Sequence, residues 1–296
     1  MIVQRIVRYV YMRFSYGTYN TKYVGSIILK LIGMRKLLGM KAMSKAIPSS
    51  SYVDSSLEEK GYTLIHSIDD EAVVSLVRKA DFLFVKYEPE FYAANRDHPL
   101  ITISPPEMFE EGCPIREFAT SSRLIGLLTR YFGHIPKLCA YDLVLSPNDV
   151  ELINSSQAFH LDGQFNRSVH VFIYITDVMN DCGPTVLIPA SLTERLCKMY
   201  SYRKAGRNPR LSPEELFQHE SVRRESFTAV GEIGTIFMFD GDRCLHLGGR
   251  KASNVRKFVH LLYLSPFSFT IDDYDRSNLA SLINEESEDW KRHVVC

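Results

Sequence analysis

Short apolar stretches alternate with polar and turn residues over the second half of the chain, which favours β-strands there. The stretches between residues 137 and 265 are brief and are separated by glycine, proline and aspartate. This spacing is typical of a β-sandwich or a jelly roll. A basic and partly helical segment over 191–227 interrupts the pattern. The predicted strands are 138–145, 157–162, 167–176, 185–189, 234–239 and 258–265.

Helical periodicity is strongest in the first half of the chain. Residues 71–80 place apolar side chains on one face, and the preceding residues Ser67 to Asp70 have the spacing of a capping box. A second helix is predicted over 117–132, with Gly133 as its C-terminal cap. Residues 85–114 contain five prolines, and we expect a loop with short strands at an active-site rim. The predicted fold is therefore mainly β with flanking helices.

The charge distribution divides the chain into an arm and a main domain. Residues 1–53 carry nine lysines and arginines and no acid, and a proline-serine stretch at 48–51 marks the hinge to the main domain. We predict a basic, apolar and helical arm over 1–53 and one domain over 54–296. Two interpretations of the arm stay open. Its helices pack on the main domain, or they contact an anionic membrane surface or an acidic partner.

The bulk composition describes a globular protein with a substantial core. The 296 residues are 45% hydrophobic and carry a formal net charge of zero, which gives no reason to expect a nucleic-acid partner. Six cysteines are scattered without a CxxC pair, which indicates reduced thiols and a cytoplasmic location. No secretory signal is recognised at the N-terminus, and the best apolar run, 23–34, is too short to span a bilayer.

Metal chemistry is indicated by one short motif. His160 and Asp162 are two residues apart on a predicted strand, so their side chains point to the same side and can hold one ion. His246 lies far downstream, after a strand and a turn. Two imidazoles and one carboxylate form the facial triad of non-haem Fe(II) sites. A histidine taken singly is more often an ordinary hydrogen-bonded residue than a metal ligand, so the signal lies in the combination of the three.

An ordered set of motifs runs from residue 57 to about residue 266. Its stretches are 61–65 (GYTLI), 160–162 (HLD), 168–177, 183–191 (GPTVLIPAS), 234–240 (GTIFMFD), 246–250 (HLGGR) and Arg256. Each motif alone is weak, but the ordered set with these spacings is a strong signal. In this order the sequence resembles the phytanoyl-CoA dioxygenase family of Fe(II)/2-oxoglutarate oxygenases.

The resemblance implies a double-stranded β-helix, a jelly roll of the cupin type, with the metal near one open end. His160, Asp162 and His246 are expected to bind Fe(II) and to form the catalytic centre. 2-Oxoglutarate and O2 are expected to take the remaining coordination positions. Arg256 is the expected partner of the far carboxylate, because its planar fork donates two parallel hydrogen bonds.

Several further residues are weaker candidates. Arg250 is a rival of Arg256, although Arg256 leads the last core strand and is preferred. His170 and His260 are expected in the core or behind the metal ligands, and Asp240 and Asp242 in a turn before His246. The remaining candidates, which we expect to orient the co-substrate or to line its pocket, are Gln157, Tyr174 and Thr185.

The expected activity is hydroxylation of a small metabolite, with 2-oxoglutarate converted to succinate and CO2. Residues 191–227 include six basic side chains between Arg195 and Arg210, which suits an anionic or carrier-linked substrate. The alternative, a solvated basic loop, stays open. Two other functions also stay open: a non-catalytic jelly-roll binding module, and a metal-dependent isomerase or hydrolase that works without O2.

Overall fold

The computed structural model describes residues 38–40, 43–47, 55–66, 70–93, 100–146, 157–163, 167–202, 210–248, 253–268, 271 and 274–295. The predicted arm over 1–53 lies mostly outside these residues. Of its described part, Met40 and Ile47 are buried in the same apolar cluster as the helices of the main body. None of the described helices has the length and apolar character needed to cross a bilayer.

Two antiparallel sheets form the centre of the described structure. Their strands are β1 (Tyr62–Ile65), β2 (Ile101–Ile103), β3 (Lys137–Ser146), β4 (Ser168–Tyr174), β5 (Val186–Leu187), β6 (Phe227–Thr228), β7 (Ile236–Asp240), β8 (His246–Leu247) and β9 (Arg256–Leu264). The larger sheet has the strand order β1-β7-β4-β9-β3-β2, and the smaller has the order β6-β5-β8.

Alternation along the strands gives the larger sheet two different faces. On β4, Val169 and Val171 belong to the core under the helices. Phe172 and Tyr174 belong instead to a second core, which they share with Leu187 of the smaller sheet. The two sheets therefore face each other across an aromatic interior, as expected for a double-stranded β-helix with helices outside the larger sheet.

Helices cover the larger sheet and the outer side of the smaller one. Short 3₁₀ turns occur at Pro106–Met108, Asn180–Cys182 and Ser277–Leu282. The helices are α1 (Ser56–Lys60), α2 (Glu71–Lys86), α3 (Glu88–Ala93), α4 (Pro114–Ala119), α5 (Ser122–Phe132), α6 (Ala190–Met199), α7 (Pro213–Leu216), α8 (Glu220–Glu225) and α9 (Asp289–Val295).

The first predicted helix is longer than expected, and its cap differs. Asp70 caps α2, accepting a hydrogen bond from the Ala72 amide, whereas the proposed cap Ser67 lies outside the described residues. The loop prediction for 85–114 is wrong over its first part, which continues α2 and adds α3. Pro89 lies in the first turn of α3, where the missing amide N–H leaves no helical bond unmade.

The single helix predicted over 117–132 is two helices. Thr120 ends α4, and Ser121 then caps α5 by accepting a hydrogen bond from the Leu124 amide. Because a serine side chain competes for backbone groups, it starts a new helix more readily than it continues an old one. Gly133 ends α5 in the left-handed conformation, as predicted, at φ 74°.

Candidate metal centre

His160, Asp162 and His246 converge on one point between the sheets. One ligand atom from each residue lies within 4.8 Å of the other two. The Asp162 Oδ1 atom is 3.8 Å from His160 Nε2 and 3.4 Å from His246 Nε2. All three residues are largely buried. The geometry therefore supplies two imidazoles and a carboxylate to a single divalent cation.

Backbone pairing places the two histidines side by side. The His160 amide donates to the His246 carbonyl at 2.9 Å, and the His246 amide donates back at 3.0 Å. Paired residues of antiparallel strands present their side chains on the same face. The segment predicted as a strand over 157–162 pairs only at Phe159 and His160, and this pair is sufficient to align the rings.

Backbone carbonyls fix the orientation of both rings. His160 Nδ1 lies 2.9 Å from the Ala158 carbonyl, and His246 Nδ1 lies 3.0 Å from the Cys244 carbonyl. A donated hydrogen bond from each Nδ1 leaves the Nε2 lone pair directed at the centre, which is the tautomer that binds a metal.

A third histidine fixes the carboxylate. His170 Nε2 lies 2.8 Å from Asp162 Oδ2, and its Nδ1 lies 3.0 Å from His260 Nε2. This contact turns Oδ1 of Asp162 toward the two imidazoles. The prediction that His170 and His260 stand in the core or behind the ligands matches these positions. The sequence already indicated that His170 faces the interior, because it lies four residues before Tyr174 on the same strand and therefore on the same face.

Gly241 makes room for the carboxylate. Its carbonyl accepts a hydrogen bond from the Asp162 amide at 3.0 Å. A Cβ atom at position 241 would lie 1.7 Å from Asp162 Oδ2. Only glycine allows Asp162 and His170 to meet at this place.

The local electrostatics act differently on the three candidate ligands. Burial, with help from His246, lowers the pKa of His160 to about 3. Burial opposes ionisation of Asp162, but His246 and His170 hold its pKa well below the usual range. Burial opposes protonation of His246, but the Asp162 carboxylate raises its pKa. His160 and Asp162 therefore have the protonation states that a divalent cation needs, and His246 would have to be neutral to bind one.

Arg256 is a buried cation at the start of β9. Its Nη1 donates to Thr185 Oγ1 at 3.1 Å, and its guanidinium carbon lies 4.9 Å from the centre of the Phe258 ring. Its Nε atom has no hydrogen-bond partner, and burial lowers the pKa of the guanidinium. Within the described part of the chain no carboxylate pairs with Arg256. A buried charge of this kind is costly unless an anion compensates it.

The other predicted residues differ in how closely they approach the two charged groups. Thr185 contacts Arg256 directly. Tyr174 is on the same inner face, but its hydroxyl donates to the Ala229 carbonyl at 2.7 Å. Gln157 is buried three residues before His160. Arg250, the rival of Arg256, lies outside the described residues.

Asp240 has the turn role that was expected of it. Its carboxylate accepts hydrogen bonds from the Tyr131 hydroxyl at 2.6 Å and from the Asp242 amide at 2.9 Å. Arg243 donates to the same Tyr131 hydroxyl at 3.0 Å. These contacts fix the turn between β7 and β8, and hence the position of His246.

Comparison with known proteins gives matches only among solved structures. No protein-family model matches the sequence, and no curated protein matches it. The epimerase SnoN from nogalamycin biosynthesis, in complex with Fe3+ and alpha ketoglutarate, is 15% identical, with a TM-score of 0.49 over 78% of this chain and 84% of that chain.

Two further solved structures are similar at the same level. AviO1 from Streptomyces viridochromogenes Tue57 is 14% identical, with a TM-score of 0.46 over 74% of this chain and 98% of that chain. EctD from S. alaskensis, with 2-oxoglutarate and 5-hydroxyectoine, is 16% identical, with a TM-score of 0.43 over 74% of this chain and 80% of that chain.

Proposed function

We propose that this protein is an Fe(II)/2-oxoglutarate-dependent dioxygenase of the phytanoyl-CoA dioxygenase type. It hydroxylates a small, anionic or carrier-linked metabolite and converts 2-oxoglutarate to succinate and CO2. One observation carries the proposal: a His-Asp-His cluster and a buried arginine without an anion open into the same interior. The cluster suits the metal, and Arg256 suits the distal carboxylate of a keto-diacid.

The register of β9 supports a shared cavity. Arg256, Phe258 and His260 alternate onto one face of the strand, and His260 contacts the His170 ring that holds Asp162. The cation and the metal cluster therefore belong to one wall. His160, Asp162 and His246 would hold Fe(II), while Arg256 and Thr185 would hold the far carboxylate of 2-oxoglutarate.

In this reaction the protein would position the metal and the co-substrate and would provide a pocket from which water is excluded. When bound, Fe(II) with 2-oxoglutarate supplies the activation of O2 that oxidises an unactivated C–H bond. The buried aromatic side chains of the inner face would keep water away from the two charged groups, and this would strengthen an interaction of Arg256 with the far carboxylate of 2-oxoglutarate. The inner-face rings are Phe172, Phe237, Phe239 and Phe258, each 7% exposed or less.

Spectroscopy of site variants tests the proposal. Without oxygen, iron-loaded protein is expected to develop a visible charge-transfer band when 2-oxoglutarate is added. His160→Ala and Asp162→Ala should lose iron. Arg256→Gln should keep iron but bind 2-oxoglutarate about tenfold more weakly or worse, since a charge-assisted hydrogen bond is lost. His66→Ala removes an exposed histidine and serves as the control.

The outcomes separate the alternative functions. Absence of the band in the wild-type protein contradicts the proposal. Metal uptake with turnover that ignores 2-oxoglutarate and O2 would indicate an isomerase or hydrolase, and failure to take up any divalent metal a binding module. Succinate release that rises with an added metabolite, together with a product heavier by one oxygen atom, would support hydroxylation.

A further inference from the structure

Three short backbone segments run side by side at the metal face. Phe159 and Leu211 exchange both backbone hydrogen bonds, at 3.0 and 2.9 Å, as an antiparallel pair. In this register the next residues along, His160 and Arg210, lie opposite one another. His160 is paired with His246 on its other side. The central ligand segment therefore has His246 on one flank and Arg210 on the other.

The packing shows which face these side chains share. Leu211 and Phe159 belong to the apolar cluster outside the smaller sheet, together with Leu245 and Leu247. Since neighbouring side chains on an extended segment point in opposite directions, Arg210 leaves the backbone on the metal side, as His160 and His246 do. Residues directly opposite each other have Cβ atoms about 5 Å apart.

The exposure of these side chains agrees with this placement. Arg210 itself is exposed, whereas both histidines are buried. The guanidinium thus stands at the rim of the site, where a molecule entering from solvent would meet it before the metal.

Arg210 differs from the other described cations of the basic segment 191–227. Arg195 lies 3.8 Å from Glu225, and Lys198 lies 2.8 Å from Glu194. Arg223 donates to the Phe217 and Gln218 carbonyls, at 2.6 and 3.1 Å. Among the described residues no carboxylate forms an ion pair with the exposed Arg210, so its guanidinium is available to an anion from solvent.

We propose that Arg210 is the anchor for an anionic group of the substrate, a sulfonate, phosphate or carboxylate, bound beside the metal. This inference rests on the proposed function and deepens it by assigning the substrate class to one residue. Arg256 and Arg210 then bind different molecules. The buried arginine holds the co-substrate, and the exposed one orients the molecule to be oxidised. The planar guanidinium fork can bind two oxygens of the anion and so fix its direction.

Anion binding to the full chain tests the inference. The protein is loaded with Co(II) and 2-oxoglutarate, and ethanesulfonate is titrated while the visible spectrum of the metal is followed. A sulfonate is chosen because it is a weak metal ligand. Arg210→Gln should raise the Kd for ethanesulfonate about tenfold or more, and Arg210→Lys should restore part of the affinity. Lys198→Gln, which removes a cation paired with Glu194, should leave the Kd unchanged.

The result that overturns the inference is distinct from failure of the proposed function. Equal ethanesulfonate affinity in wild-type protein and Arg210→Gln, or no binding by the wild type, removes Arg210 from substrate recognition. Ethyl methyl sulfone, a neutral analogue, should not distinguish the variants. Metal and 2-oxoglutarate binding are measured in the same samples, so their loss in the wild type counts against the oxygenase proposal instead.

Discussion

At the scale of single residues, the absence of a side chain at position 241 is as important as any ligand. A Cβ atom there would lie 1.7 Å from Asp162 Oδ2 and 3.3 Å from His170 Nε2. Gly241→Ala should therefore displace the carboxylate and weaken metal binding about tenfold to a hundredfold. Competition with a chromophoric chelator measures the Kd.

A second glycine provides the control for that experiment. Gly112 has φ 73° and open space around its Cα, so Gly112→Ala should cost about 1 kcal/mol of stability without changing the metal Kd. Unchanged metal affinity in Gly241→Ala would mean that Asp162 can move without consequence.

His170 gives the second prediction at this scale. The ring centroids of His170 and Phe239 are 4.8 Å apart. His170→Phe keeps an aromatic ring in this stack but removes the hydrogen bond to Asp162. Metal affinity should fall about tenfold to a hundredfold. His170→Gln, which retains a donor, should recover part of it. If His170→Phe binds metal as tightly as the wild-type protein, the hydrogen bond does not orient the ligand.

The sequence predicted which residues would approach one another better than it predicted their contacts. The two-residue spacing of His160 and Asp162 on a predicted strand placed both on one side, and the structure brings His246 to the same point. The role of Arg256 at the start of the last strand stays a prediction. The His170–Asp162 contact and the Gly241 clearance depend on how separate segments approach in space. The spacing of residues along the chain predicts neither distance, so the sequence could indicate only that His170 lies in the core or behind the ligands.

At the scale of elements, the turn from β7 to β8 determines the position of His246, the first residue of β8. Tyr131→Phe should destabilise the fold by about 1–3 kcal/mol, because the buried Asp240 carboxylate loses a donor. Urea unfolding measures the loss. Tyr62→Phe, which keeps its ring stacked on Phe227 at 4.5 Å, is the control. A change below about 0.5 kcal/mol in Tyr131→Phe would contradict this role.

Element boundaries were predictable where alternation was long and uncertain where it was short. Strands β3, β4 and β9 follow their apolar patterns within two residues. The two-residue strands β5 and β8 are defined by pairing partners and not by their own composition. The break at Thr120 and Ser121 depends on side-chain capping, which competes with an otherwise continuous apolar stripe.

At the scale of the whole molecule, the buried residues of the arm test whether it belongs to the main domain. Met40 is fully buried, whereas Leu38 is 61% exposed. Met40→Ala should therefore lower the free energy of unfolding by about 2–5 kcal/mol. Leu38→Ala should change it by less than about 0.5 kcal/mol. Thermal unfolding followed by circular dichroism compares them. Equal effects would indicate an arm that does not contribute to the core.

The pairing of Phe159, His160 and their neighbours has a consequence for how the candidate metal site would form during folding. A slip of one position along that pairing would exchange inside for outside at every residue of the segment. The imidazole of His160 would leave the interior and an apolar neighbour would enter, whereas His246 would stay in place through its own pairing with Leu187. The two imidazoles therefore face one point only in the correct register, which also closes the outer apolar layer around Phe159 and Leu211.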